Sequence, residues 1–437
     1  MNTSGLRAKL AIIVVTCGLI LLGSRLYDLQ QDALNANQWP ADAPDFDPNF
    51  ANDSDRYLPE NGIPVARTAT ATDRSHSEIK VRLVGAGNQG RLDLELIGRY
   101  RILGPSGRVL RVGDGLRGMV ELAPDGLHLG PWLITANPIF LETAGDAGIR
   151  IGSRTYRGKL ELGFDRGDNK LPEKLKVALF VPLEDYVLGV VCGEMPSNTP
   201  GAEAALRVQA IAARTYALWK LSSGQVELRD DTSDQHFESV DFETHAARAA
   251  VEDTVGTVLT WDGQLLPAWY HADCGGRTTP AHRAGFGKKD LPPLVGSADP
   301  FCAKGDTWVR VVAASKLDQL ARDHQLGDWI NRIQFRSRDR GGRLLLARLD
   351  GEQNSRELLG ETLRAAFDLP SANWLSMRAL ADGSIQISGR GRGHGVGLCQ
   401  IGSLRMSASG ADVAEIMQHY YPGAALQAMR KLKVDGS

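Results

Sequence analysis

Glu194 closes the stretch "LEDYVLGVVCGEMP", residues 183 to 196, and its type and spacing suit proton chemistry. Counting back from it in helical steps meets Val190, Val187 and Leu183, so a helix that persists to 194 carries the carboxylate on its buried stripe. Desolvation there, with the negative end of the helix dipole beside it, favours the neutral acid and so a group able to give and recover a proton. The alternative is a helix that ends at Gly193 and leaves Glu194 a solvated acid beyond the cap.

A second candidate is "GRGRGHGVGLCQIGS", residues 389 to 403. If extended, it puts Gly389, Gly391, Gly393, Gly395 and Gly397 on one face and Arg390, Arg392, His394 and Val396 on the other. Such bare backbone suits close approach of another group, or dihedrals closed to residues with a Cβ. A phosphate cradle is excluded, because no register gives G-x-G-x-x-G and no G-K-[ST] follows.

The five cysteines are Cys17, Cys192, Cys274, Cys302 and Cys399. Cys274 and Cys302 both fall in loop-like sequence, and in an oxidising compartment two such residues most simply form a disulfide. The rival is zinc held by His271, Cys274, His282 and Cys302, though the paired C-x-x-C spacing is missing. A papain-like pair of Cys399 and His394 has the wrong chain order, and Cys399 at an apolar helix start reads as a buried, inert thiol. Arg207 and Arg214, two turns apart on the next helix, read as a solvated basic stripe.

The elements around these residues divide the chain. Its 437 residues, 43% apolar and 23% charged, make an ordinary globular composition with room for two or three cores. With 50 basic against 52 acidic residues there is no general pull toward nucleic acid. Residues 1–30 read as a signal or anchor, with Arg7 and Lys9 ahead of an apolar run at 10–23; the absence of an A-x-A cleavage pattern favours an uncleaved anchor. Residues 31–75, rich in Asp, Asn and Pro, read as a flexible linker. Short alternating segments such as "IKVRLVG" and "LDLELIG" make 79–170 β-rich. From 171 to 425 helices and strands mix: a helix capped by Thr199 with Pro200 at its first position, a hairpin through Asp262-Gly263, a helix and strand subdomain at 312–370, and a last helix with Asp412 and Glu415 as capping box. The fold class expected is α+β.

Three stretches resemble the SpoIID/LytB family, named for the stage II sporulation protein D of spore-forming bacteria: "LEDYVLGVVCGEMPSNTPGAEAALRVQAIAARTYAL", "YHADCGGRT", and "GRGRGHGVGLCQIGSLRMSASG" with "HYYPG". The likeness covers about 80 to 425. It implies an exported lytic transglycosylase acting on peptidoglycan glycan strands stripped of their stem peptides, with Glu194 as the single general acid and base; no cofactor is expected, with a structural zinc kept as the rival at the cysteines. It also implies Arg214, Tyr216, Gln235, Gly393, His394, Gly395 and Gln400 as substrate-binding residues, with the glycine-rich segment as one wall of the glycan groove. A non-catalytic modifier of a cell-wall amidase is the other role within the family. The sequence departs from the family pattern at Cys192 and at His236-Phe237, where relatives more often show Val-Tyr.

Overall fold

The computed structural model describes residues 78–429, save 89, 146–147, 168–171, 288–290 and 304–305. The apolar run at 10–23, Cys17 and the 31–75 stretch lie outside the described residues. Among those described no helix is long and apolar enough to cross a membrane. A run of strands up to Pro182 is followed by mixed helices and strands, with the strand pairs mostly antiparallel, which is the α+β class. The described chain forms two compact units, residues 83–179 and residues 78–82 with 180–429.

The first unit is built of strands. They lie in the order Pro172–Pro182, Lys159–Arg166, Ile139–Thr143, Arg91–Leu103, Val109–Ala123, Gly126–Leu129, Trp132–Ile134. The period of two in "LDLELIG" buries Leu92, Leu94 and Leu96, and the antiparallel register sets Leu92 opposite Val120 and Leu96 opposite Leu116, both also buried. Alternation in the sequence thus becomes one apolar face of the sheet.

The second unit carries the candidate chemistry. Helix α1 spans Leu183–Glu194 and α2 spans Glu203–Ser222. The expected cap at Thr199 with Pro200 inside the helix does not form: α2 starts later because Gly201 takes a left-handed φ of +74°, and Thr199 O instead accepts the Ala202 N–H of a turn. Alanines 205, 210, 212, 213 and 217 are all fully buried, so α2 is enclosed by its neighbours. Thr244 caps α3, His245–Glu252, by accepting from the Ala247 N–H. The hairpin through Asp262-Gly263 forms as expected, Thr257–Trp261 against Gln264–Leu265, with φ of 51° and 73° at the two turn residues.

Among the described residues, two core clusters of this unit bear on the candidate chemistry. One joins Val208, Ile211, Leu259, Leu266, Leu398, Met406, Ile416 and Tyr420. It receives α6, Gln400–Ala408, and α7, Val413–Tyr420, the latter opened by the capping box of Asp412 and Glu415. The other core, with Trp308, Leu320, Leu349, Leu363, Trp374 and Ile387, holds α4, Ala314–Asp323, and α5, Gly360–Ala366, against two three-stranded sheets. Between the strand Ile385–Arg390 and α6 runs the glycine-rich loop, which ends as Leu398–Cys399 lying parallel to Tyr270–His271.

Candidate active site

Helix α1 persists to Glu194 and stops there for a local reason. Pro196 disfavours helical dihedrals at the residue before it, and Met195 accordingly sits extended at φ −127°, ψ 140°. The Glu-Met-Pro order therefore puts the carboxylate on the last helical residue, where it is half-buried. Gly189 and Gly193, five residues and one residue before the acid, bring another segment against the helix: a Cβ on Gly193 would overlap His236 O, and one on Gly189 would lie 2.5 Å from the Phe237 ring. Because both are bare, the Glu238 N–H reaches Gly189 O at 3.1 Å and the His236 N–H reaches Glu194 Oε1 at 2.8 Å.

Two side chains complete the acid's surroundings. Tyr270 donates its hydroxyl to Glu194 Oε1 at 3.4 Å, and Gln400 donates its amide to Oε2 at 3.3 Å. Behind them runs a buried relay in which Tyr186 donates to Gln235 Oε1 at 3.0 Å while Gln235 Nε2 donates to the Tyr270 oxygen at 2.8 Å. With its oxygen engaged as an acceptor, Tyr270 has its proton left to point at the acid. Burial holds the Tyr270 phenol well above its ordinary pKa, and the charge of Glu194 pushes it the same way, so it remains a donor. Oε1 thus takes two donors and Oε2 one long hydrogen bond, which makes Oε2 the oxygen available for proton exchange with a bound group.

The other residues expected at the site divide sharply. Gln400, 6% exposed, and Tyr216, packed edge-on against Tyr270 with ring centroids 6.5 Å apart, do adjoin the acid's surroundings. Gln235 is fully buried and acts through Tyr270, so it positions the site and offers nothing to a ligand. Arg214 is not a ligand contact either. It is 0% exposed, its Nε donates to Glu184 Oε1 at 3.0 Å and its Nη1 to Thr257 O at 3.1 Å, because a guanidinium inside a closed helix must be paired. Nor do Arg207 and Arg214 form a solvated stripe, since Arg207 pairs separately with Asp253.

The glycine-rich segment is also not what its pattern suggests. Gly391, Gly393, Gly395 and Gly397 all have φ between +70° and +92°, so the chain steps through left-handed turns instead of extending. Their bare faces meet the protein itself: a Cβ on Gly391 would lie 2.7 Å from Asp273 O, on Gly393 2.9 Å from His271 Cβ and on Gly395 2.6 Å from the Arg343 guanidinium, and on Gly397 it would overlap Trp269 O. Gly393 and Gly395 are therefore spacers for the fold and not the wall of a groove. His394, among them, accepts the Val396 N–H at Nδ1; burial, then His271 and Arg343, push its pKa well below the usual range and keep it neutral. The loop delivers Gln400 beside Tyr270, through the parallel bridge of Leu398 to Tyr270.

The expected disulfide is not formed in the structure: Cys192, Cys274, Cys302 and Cys399 are free cysteines, with Cys274 Sγ 3.2 Å from Asp299 Oδ2 and Cys302 Sγ 3.0 Å from Asp273 Oδ1. The zinc set with histidines does not assemble either, as His271 turns Nδ1 to Val396 O and the cluster that forms is Cys274, Asp299, Cys302 and Cys399. Cys399 and His394 make no nucleophilic pair, and Cys399 is fully buried. Sequence reasoning missed Tyr270. Its signal was its place at the head of "YHADCGGRT", in a stretch read for its turn and its cysteine.

A helix-end acid clamped by a backbone N–H, a tyrosine and a glutamine from three distant segments is an arrangement suited to proton transfer, on an α+β scaffold. Residues 172–261, which hold Glu194, His236 and the relay's Tyr186 and Gln235, match the family model described as stage II sporulation protein. The chain is similar to an uncharacterized protein of Brachyspira hyodysenteriae, 30% identical over 55% of this chain and 65% of that protein, so it spans just under two thirds of that relative. It is similar also to the stage II sporulation protein D of Bacillus amyloliquefaciens, 28% identical over 56% of this chain and 73% of that one. A third relative is the amidase enhancer of Bacillus subtilis, 25% identical over 54% of this chain and 40% of that one. These matches support the likeness to the SpoIID/LytB family.

Proposed function

We propose that this protein is a lytic transglycosylase of the cell envelope, held to the cytoplasmic membrane by residues 10–23. It cuts MurNAc–GlcNAc bonds in peptidoglycan strands stripped of stem peptides. Glu194 gives its proton to the glycosidic oxygen as the C1–O bond breaks, and the resulting carboxylate then takes the proton from the sugar's own C6 hydroxyl as O6 closes on C1. The product is a 1,6-anhydro sugar, and one acid suffices because the nucleophile belongs to the substrate. The step itself calls on no cofactor. Three donors around the carboxylate stabilise it between the two transfers, and the half-buried Trp219, Trp269 and Phe286, in edge contact with one another, offer apolar faces to an uncharged glycan.

The observation that carries this reading is the half-buried Glu194 with Oε2 open to one long hydrogen bond. Glu194→Gln keeps the shape and removes the transferable proton. Cleavage of denuded strands, read as 1,6-anhydro products by mass spectrometry, is expected to fall about 100-fold or more, with glycan binding kept. Activity equal to the parent's overturns the assignment.

The name of the amidase enhancer relative favours a second reading, a glycan-binding modifier of a cell-wall amidase. It predicts that Glu194→Gln stimulates an added amidase as well as the parent does, and that neither releases anhydro sugars.

A further inference from the structure

We propose that Cys274, Asp299, Cys302 and Cys399 form a closed structural site for one zinc ion. They come from three separate segments: the loop after Tyr270–His271, the turn at 299–302 and the residue that caps α6. All four are at most 1% exposed, and their donor atoms lie within 4.8 Å of one another. Tetrahedral zinc with bonds of about 2.3 Å to sulfur sets its ligands roughly 3.8 Å apart, so the cluster needs only a small contraction to close on the ion.

The surroundings hold these donors as ligands are held. Asp299 Oδ1 accepts the N–H groups of Phe301 and Cys302, both at 3.1 Å, and Oδ2 accepts the Tyr420 hydroxyl at 2.8 Å, which fixes the carboxylate's direction. Cys399 Sγ accepts the N–H groups of Cys274 at 3.3 Å and Gly402 at 3.4 Å, an arrangement that suits a thiolate. Gly402 lets α6 approach this closely, since a Cβ there would lie 2.5 Å from Asp299 Oδ2 and overlap the Tyr420 oxygen.

A disulfide accounts for less. Joining any two of the three thiols leaves the third beside a buried carboxylate with no cation, which is costly. Zinc uses all four donors, and the three thiols release their protons to solvent as it binds. Four protein ligands with no open position make the ion structural. Its place also has a use: Cys274 follows Tyr270 by four residues and Cys399 directly precedes Gln400, so the ion staples together two of the three segments that donate to Glu194.

The test is the metal and thiol content of the full chain, purified without chelator, loaded with zinc and freed of excess. One zinc per chain is expected by elemental mass spectrometry, with all five cysteines counted as thiols after denaturation with a chelator. Cys192→Ser should keep the stoichiometry, Asp299→Asn should reduce it, and Tyr420→Phe should weaken zinc binding about 10- to 100-fold. Chelation should lower the melting temperature. A disulfide joining any two of Cys274, Cys302 and Cys399, or failure of the folded parent to retain zinc, overturns the proposal. Both readouts on the parent stand even if a variant fails to fold, and neither depends on glycan cleavage.

Discussion

Gly189 and Gly193 on α1 and the glycines of the 389–397 loop are bare for the same mechanical reason, yet they serve opposite ends. On the helix, two glycines admit the 236–238 segment, whose N–H then grips an acid that stays half-exposed. In the loop, glycines in left-handed turns admit Asp273, His271, Arg343 and Trp269, and the space is filled. Bare backbone therefore does not by itself mark a ligand surface. What distinguishes the two regions is whether a polar group is left facing outward once the close approach is made.

Adding a methyl group to the loop should separate the two regions most strongly. Gly397→Ala combines a φ of +70° with an overlap on Trp269 O, and we expect a loss of about 2 to 5 kcal/mol from strain and overpacking. Thermal unfolding should register it, with cleavage per folded molecule unchanged. If the variant melts like the parent but loses glycan affinity, the loop faces ligand after all.

Tyr270→Phe probes the other region. It deletes a hydroxyl hydrogen bond to the acid while leaving the ring, so kcat should fall roughly 10- to 100-fold, corresponding to about 1.5 to 3 kcal/mol for a bond to a charged group. A variant with parental kcat would show that the contact does no work in the reaction.

Acid should separate the regions more gently. Burial, then Arg343, pushes His271 down to about 3, below its value of about 6.5 in the unfolded chain. The unfolded state then binds the extra proton, so this contribution is complete above pH 6.5 and is lost as pH falls toward 3, amounting to about 2 kcal/mol by pH 5. His394 shifts in the same direction. Urea unfolding midpoints measured from pH 7 to 5 should drop accordingly, and His271→Asn should flatten the slope; a parent with constant midpoints would show that His271 is not buried neutral.

How much of this was legible follows the range of the forces involved. Alternation in "LDLELIG" foretold a half-buried sheet because side-chain direction in a strand is set residue by residue. The same locality made the Asp262-Gly263 turn and the Asp412 and Glu415 box readable. Thr199-Pro200 looked equally local and misled, because Gly201 beyond it turns left-handed. Arg214 and Gln235 carried no sign in the sequence of being buried and paired with Glu184 and with Tyr186 and Tyr270. The glycine loop showed its need for close approach but not what approaches.

The sequence held the local cause of the helix end, since the proline two residues beyond Glu194 acts within its own turn, while its periodicity left an end at Gly193 open. It also determined the α+β class and the β-rich stretch, through periodicities of two and 3.6. The tertiary structure alone decided what surrounds the acid: its three donors lie 42, 76 and 206 residues away along the chain. It likewise gathered three thiols and a carboxylate from segments that no spacing rule links. Local dihedral preference and side-chain period are written in neighbouring residues, whereas a hydrogen bond between distant segments exists only after packing has fixed both ends.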